Sequence, residues 1–203
     1  MGALTLYGDS NSGNCYKVQL LLAQLGAEHV WREVDVVHKK ETRTPEFLAL
    51  NPNGQIPLLV TEKGETLPES NAILHYLAEG SPLVPTDRMV RAQMLRWMFF
   101  EQYTHEPNVA VARFIVRYLG RPPEREEQLQ DKIKRGHAAL AVMEQHLARN
   151  DYFAGGRYTL ADIALYAYTH VAEQGLIDIA AYPAIRDWIA RVAAQPGHVA
   201  MAA

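Results

Sequence analysis

The residues of this chain best equipped for chemistry lie in three short segments. The first is Glu69-Ser70, which opens the stretch SNAILHYLAE, an amphipathic pattern at helical spacing. The first N–H groups of a helix have no partner within it and form a ready anion site. A Ser70 hydroxyl adds one more donor there as the N-cap, and Glu69 can answer an ammonium group. The second segment is Gln55-Ile56-Pro57, within NPNGQIPLL. Asn-Pro-Asn-Gly by itself is a turn, and a proline at the start of an edge strand is ordinary. A cis Ile56-Pro57 bond, however, bends the chain and leaves the Ile56 N–H and C=O facing outward, where an extended peptide can pair as an added strand. Together the two segments suit a ligand with a carboxylate and an amine at one end and a peptide-like middle.

The third segment is DSNSGNCYKV, residues 9–18, a polar turn running into a helix. A group at a helix N-terminus feels a positive partial charge. A hydroxyl there can donate to a thiolate, and donation to the charged form lowers a thiol's pKa. Lowering it by ~2 units is worth ~2.7 kcal/mol in that equilibrium. Ser10, Ser12, Asn14 and Cys15 are all placed for this. The plain alternative is a β-to-α loop with a good N-cap.

The elements that must position these groups can be read along the chain. Residues 3–7, ALTLY, read as a strand. Val18, Leu21, Leu22 and Leu25 then fall at helical spacing, with Gly26 as the stop. Residues 29–37, HVWREVDVV, alternate as a second strand, and a β-turn-α-β order makes the two strands parallel. A short helix over 45–50 ends at Asn51-Pro52. IPLLVTE, a Lys63-Gly64 turn and ETL form a hairpin, followed by the helix over 70–79. The order is βαβ-α-ββα. Gly80-Ser81-Pro82 and Pro85 mark a linker over 80–87. Beyond it the pattern is helical: 87–118 with an interruption at Pro107, Arg121 to about Asn150, a helix opened by Thr159 and Asp162 as an acidic capping box, and a last one from Pro183 to Ala194.

Composition narrows the function classes. The net charge of -3 gives no basic field for nucleic acid or an anionic membrane. The single cysteine, Cys15, rules out an internal disulfide framework and a cysteine-rich zinc site and fits a reducing compartment. The eight histidines show no metal-ligand spacing. No stretch approaches a membrane span, and the N-terminus lacks a secretory pattern. A cytoplasmic protein without a metal is expected.

NPNGQIP…LPESNAILHYL resembles the glutathione-binding half of the cytosolic glutathione transferases, and YTLADIALYAY resembles their buried capping-box motif. The resemblance covers nearly the whole chain. It implies a thioredoxin-like α/β domain with a mixed four-stranded sheet over 1–79, the linker over 80–87, and an all-α helical-bundle domain over 88–203. It implies glutathione as co-substrate, held at Gln55, Ile56, Pro57, Glu69 and Ser70, with Thr159 and Asp162 structural. In serine-type members the catalytic serine lies six residues before a core valine of the first helix. That register gives Ser12, with Asn14 as a second donor and Cys15 displaced from the cysteine position of beta-like members. Tyr7 matches the tyrosine of other classes and ranks second. Arg43, or Lys39, matches the contact to the glycine carboxylate. Phe100, Tyr103 and Phe114 are candidates for an electrophile pocket, although the Trp97-Phe100-Tyr103 stripe is equally a core pattern. A homodimer and conjugation of a small hydrophobic electrophile are implied. A zeta-like isomerase is the alternative, and its Ser-Ser-Cys turn differs from Ser12-Gly13-Asn14-Cys15. A non-catalytic binding module is the other.

Overall fold

A computed structural model describes residues 3–202. The chain divides after Ser81, and residues 196–202 return to the first unit, so the helical unit spans Pro82–Gln195. That boundary differs from the 88–203 expected of the helical domain.

In the first unit, β1 (Thr5–Gly8), α1 (Gly13–Leu25) and β2 (Val30–Glu33) form a β-α-β crossover with the strands parallel. Gly26 closes α1 at φ 63, a left-handed turn that costs glycine little. Then come α2 (Pro45–Leu50), β3 (Leu58–Val60), β4 (Thr66–Pro68) and α3 (Ser70–Leu77). The mixed sheet has the order β2-β1-β3-β4, with β3 antiparallel to both neighbours. This is the expected four-stranded thioredoxin-like arrangement.

Strand alternation sends successive residues to opposite faces. Leu6 and Leu59 pack with Val18 and Leu22 of α1 and Ile73 of α3. Leu58 and Tyr7 point the other way, toward Phe47 of α2. The Tyr7 ring meets Phe47 edge-on at 6.2 Å, so Tyr7 works as packing on the α2 face. The C-terminal segment lies against α1. Tyr16 donates its hydroxyl to the Val199 carbonyl at 2.7 Å.

The helical unit contains α4 (Arg88–Phe100), α5 (Glu106–Arg117), α6 (Glu126–Leu147), α7 (Leu160–Thr169) and α8 (Pro183–Ala193). A π-helical turn over Glu101–His105 joins α4 to α5, so Pro107 does not break the helix as its sequence position suggests. Proline cannot donate to the carbonyl four residues back and its ring crowds that carbonyl. The widened turn absorbs the mismatch, with Glu106 N–H reaching the Glu101 carbonyl five residues back. The Asn108 side-chain amide caps the Thr104 carbonyl at 2.7 Å.

Every residue of α7 is buried, as an apolar sequence without a polar face requires. Thr159 and Asp162 form the expected capping box. Asp162 also accepts from Phe153 N–H at 3.2 Å and Trp188 Nε1 at 3.0 Å. Around it Phe153, Trp97, Trp188 and Tyr166 make edge and tilted ring contacts at the centre of the unit.

Candidate active site

The turn between β1 and α1 is built by its own backbone and braced from β2. Asp9 accepts Asn11 N–H on its carboxylate at 2.8 Å, and its carbonyl accepts Ser12 N–H at 2.9 Å. Glu33 holds the turn from outside: Oε1 accepts Ser10 N–H at 2.9 Å and the Ser10 hydroxyl at 3.2 Å, while Oε2 accepts Trp31 Nε1 at 2.6 Å. Nothing in the sequence pattern marks Glu33, because its partners lie across the sheet.

Ser12 is the N-cap of α1, in extended backbone, and its Oγ accepts Cys15 N–H at 3.4 Å. The bond uses an oxygen lone pair and leaves the hydroxyl hydrogen able to donate. No acidic residue sits in the first turn of α1 to offset the positive end of the helix. The cap role of Ser12 and a donor role toward an anion are therefore compatible.

Cys15 is fully buried. Burial pushes its thiol up to about 12, against the weaker lowering effect of its hydrogen bond with Ser12. A thiol that stays protonated and hidden is not a nucleophile, which agrees with the register that displaces Cys15. Its sulfur fills the space beside Gly8, where an added Cβ would lie 2.8 Å from Sγ and 2.5 Å from the Trp31 ring.

The second wall is the loop before β3. Asn51 is nearly buried and shapes it: its amide donates to the Gln55 carbonyl at 2.8 Å, and its Oδ1 accepts Asn53 N–H at 3.1 Å. The Ile56-Pro57 peptide is cis. Gln55 is exposed and Ile56 half-buried at the edge of the Phe47 cluster. Arg43 donates to the Asn53 carbonyl at 3.2 Å and so braces this turn, while Lys39 is exposed.

The third wall begins at Glu69. Its backbone has φ 73 and ψ 110, a region that residues with a side chain rarely occupy and that costs on the order of 1–3 kcal/mol. Glu69, not Ser70, is the residue before α3, and it makes no side-chain cap. The strained turn reverses the chain directly after β4, so the N-cap position falls on Glu69 and not on Ser70 as expected. Ser70 becomes the first residue of the helix, 5% exposed. Its hydroxyl lies 3.4 Å from Asn14 Oδ1 and 3.3 Å from Lys17 Nζ. The structure thus brings Asn14 and Ser70 together, 56 positions apart in the chain. Lys17, wholly buried beside them, was not visible as a site residue, because a lysine in a helix reads as solvated.

The aromatic candidates of the helical unit separate. Phe100 meets the buried Trp97 edge-on at 5.1 Å, and Phe114 stacks on Tyr118 at 5.1 Å. Tyr103 stands out at 88% exposure on the π-turn. Among the described residues no cluster of histidine, cysteine and carboxylate groups is arranged to hold a metal, and no helix is long and apolar enough to cross a membrane.

These features define a thioredoxin-like fold in one unit and a helical bundle in the other. Residues 11–79 match the profile of the glutathione S-transferase N-terminal domain and residues 108–196 that of the C-terminal domain. The chain belongs to the glutathione S-transferase family. A crystal structure of a glutathione S-transferase from Pseudomonas fluorescens is 51% identical, with both chains covered in full and a TM-score of 0.97. Glutathione S-transferase 3 of Zea mays is 36% identical over 97% of this chain and 91% of its own length. A glutathione transferase of Phanerochaete chrysosporium, solved in complex with oxidized glutathione, is 26% identical, with 97% of this chain and 93% of that one covered and a TM-score of 0.86.

Proposed function

We propose that the chain transfers glutathione to a small hydrophobic electrophile, with Ser12 donating a hydrogen bond to the glutathione thiolate. The observation that carries this reading is the strained Glu69 followed by Ser70, whose nearly buried hydroxyl meets Asn14 two residues into the helix that Ser12 caps. One end of the site is therefore suited to a carboxylate and amine, and it adjoins the helix whose N-terminus suits a thiolate. Glutathione carries both groups, with a peptide between them for the Ile56 backbone to pair. Gln55 and Glu69 reach the γ-glutamyl end, and Arg43 the glycine carboxylate.

In the reaction the thiol proton leaves to solvent. The sulfur lone pair forms the new bond to the electrophilic carbon, and the leaving group departs with its electron pair. Ser12 and the α1 N-terminus act by stabilising the sulfur anion before attack, and holding both reactants supplies proximity. The electrophile is assigned to the helical unit, with Phe100 and Phe114 as its aromatic surfaces. Tyr103 fits a different role. Met89 and Phe99 of α4 are likewise 67% and 71% exposed, and large apolar side chains left uncovered on one helical rod suit an association surface. A homodimer through that face is the reading it supports, and sedimentation of the purified chain tests it.

Ser12→Ala tests the chemistry. Turnover with an aryl halide is expected to fall about a hundredfold, and the pKa of the bound glutathione thiol to rise by roughly one to two units. A variant with unchanged turnover and thiol ionisation removes Ser12 from the mechanism.

A further inference from the structure

Lys17 is the least expected side chain of the first unit. It sits in the second turn of α1 with no exposed surface, and lysine is almost never buried this fully without a dedicated partner. Withdrawing an ammonium from water costs several kcal/mol. Its Nζ donates to Ser70 Oγ at 3.3 Å. The Ser70 hydroxyl, its oxygen so engaged, directs its single hydrogen to Asn14 Oδ1 at 3.4 Å. Lys17 has other interactions as well.

We infer that Lys17 is a positioning residue that, through Ser70, couples the carboxylate end of the glutathione site to Asn14 at the thiol end. The inference rests on the reading of Glu69-Ser70 as the γ-glutamyl anchor. A hydroxyl has one hydrogen to give. A carboxylate is a stronger acceptor than a carboxamide oxygen, so an arriving γ-glutamyl carboxylate takes the Ser70 hydrogen from Asn14. Lys17 keeps the Ser70 oxygen in place while its hydrogen turns, and its positive charge adds to that of the α3 N-terminus in drawing the carboxylate in. The Asn14 carboxamide, released from Ser70, can then turn its N–H groups toward the sulfur beside Ser12. All protons stay on their own residues; only the acceptor of the Ser70 hydrogen changes. Recognition of the amino-acid end thereby contributes to thiol ionisation at the other end.

The test uses the full chain. Calorimetric titration with reduced glutathione, and a pH titration of the bound thiolate by its ultraviolet absorbance, set the wild-type baseline. A wild-type chain that does not bind glutathione overturns the site reading itself. Given binding, Lys17→Met is expected to weaken it about tenfold and, at saturating glutathione, to raise the thiol pKa by about one unit. Lys17→Arg, which retains charge and donors, restores most of both. A purely structural lysine predicts no change in the thiol pKa at saturation, and that result overturns the coupling while leaving the site reading intact. A second arm needs no variant. Wild-type protein is saturated with a glutathione analogue lacking only the α-carboxylate of its γ-glutamyl residue. The thiol pKa is expected to rise by about the same one unit, and a value equal to that of bound glutathione overturns the coupling.

Discussion

Removing the acceptor at Asp162 gives a prediction whose size follows from the structure. Asp162 is fully buried. It accepts from Phe153 N–H at 3.2 Å, Thr159 N–H at 2.9 Å, the Thr159 hydroxyl at 3.1 Å and Trp188 Nε1 at 3.0 Å. In Asp162→Ala the Thr159 hydroxyl can turn elsewhere, but the other three donors cannot. Each orphaned buried donor costs ~1–3 kcal/mol, so a loss of roughly 4 kcal/mol is expected. That is a large part of the ~5–15 kcal/mol that holds a typical domain together. Asp162→Asn keeps the oxygen facing Phe153 and Trp188 and sets an amide against Thr159 N–H, a loss of ~2 kcal/mol. The order wild type, Asn, Ala is checked by urea unfolding monitored by tryptophan fluorescence.

The pH dependence of the same pair fixes the sign of the electrostatics. Burial outweighs the four donors and pushes the Asp162 carboxyl up from 3.8 to about 6. Between those values the folded chain holds the proton more tightly than the unfolded one, so this group's contribution to stability rises as pH falls. Roughly two units at ~1.4 kcal/mol each give ~3 kcal/mol between neutral pH and pH ~4. Asp162→Asn lacks this titration, so the gap between wild type and variant widens on acidification. A gap that narrows instead means that the donors hold the carboxyl below its ordinary value, and the reasoning from burial fails.

Further outcomes concern the turn before α1. Cys15, raised to about 12 by burial, is expected to resist thiol reagents at mildly alkaline pH until the chain is unfolded, and Cys15→Ala to keep most of the activity. Its share of stability is present below pH ~9 and falls by ~1.4 kcal/mol per unit above it, because only the unfolded thiol ionises there. Reagent titration in native and denaturing buffer checks the first point. Glu33→Gln leaves one acceptor oxygen for donors that now engage two, so either Ser10 or Trp31 loses its partner. The exposed position limits the stability change to within ~1 kcal/mol, while kcat/KM is expected to drop several-fold as the Ser12 turn loosens; steady-state kinetics beside a thermal melt separate the two effects.

What the sequence determined by itself is local. The α1 stop at Gly26, the hairpin at Lys63-Gly64, and the Thr159–Asp162 box depend on residues a few positions apart, and their spacing encodes them directly. The segments Gln55-Ile56-Pro57 and Glu69-Ser70 were legible for the same reason, since each is a contiguous run whose chemistry fits a ligand fragment. Only tertiary structure decided which side chains serve them. Lys17 becomes a buried partner of Ser70 because α1 packs on α3, and Glu33 braces the Ser12 turn because β2 lies beside β1. Tyr7 is turned to the α2 face by strand alternation, a matter of register rather than residue type. Ser70 is the first residue of α3 rather than its N-cap because β4 ends so close that Glu69 takes that place at a positive φ. In the sequence Pro107 looks like a break because a π-turn arises from the backbone's response to crowding, which no residue pattern announces. Hydrogen bonds and burial across long sequence separations depend on distances that folding alone creates, so the shared hydrogen between Ser70 and Asn14 belongs to the fold and not to any motif.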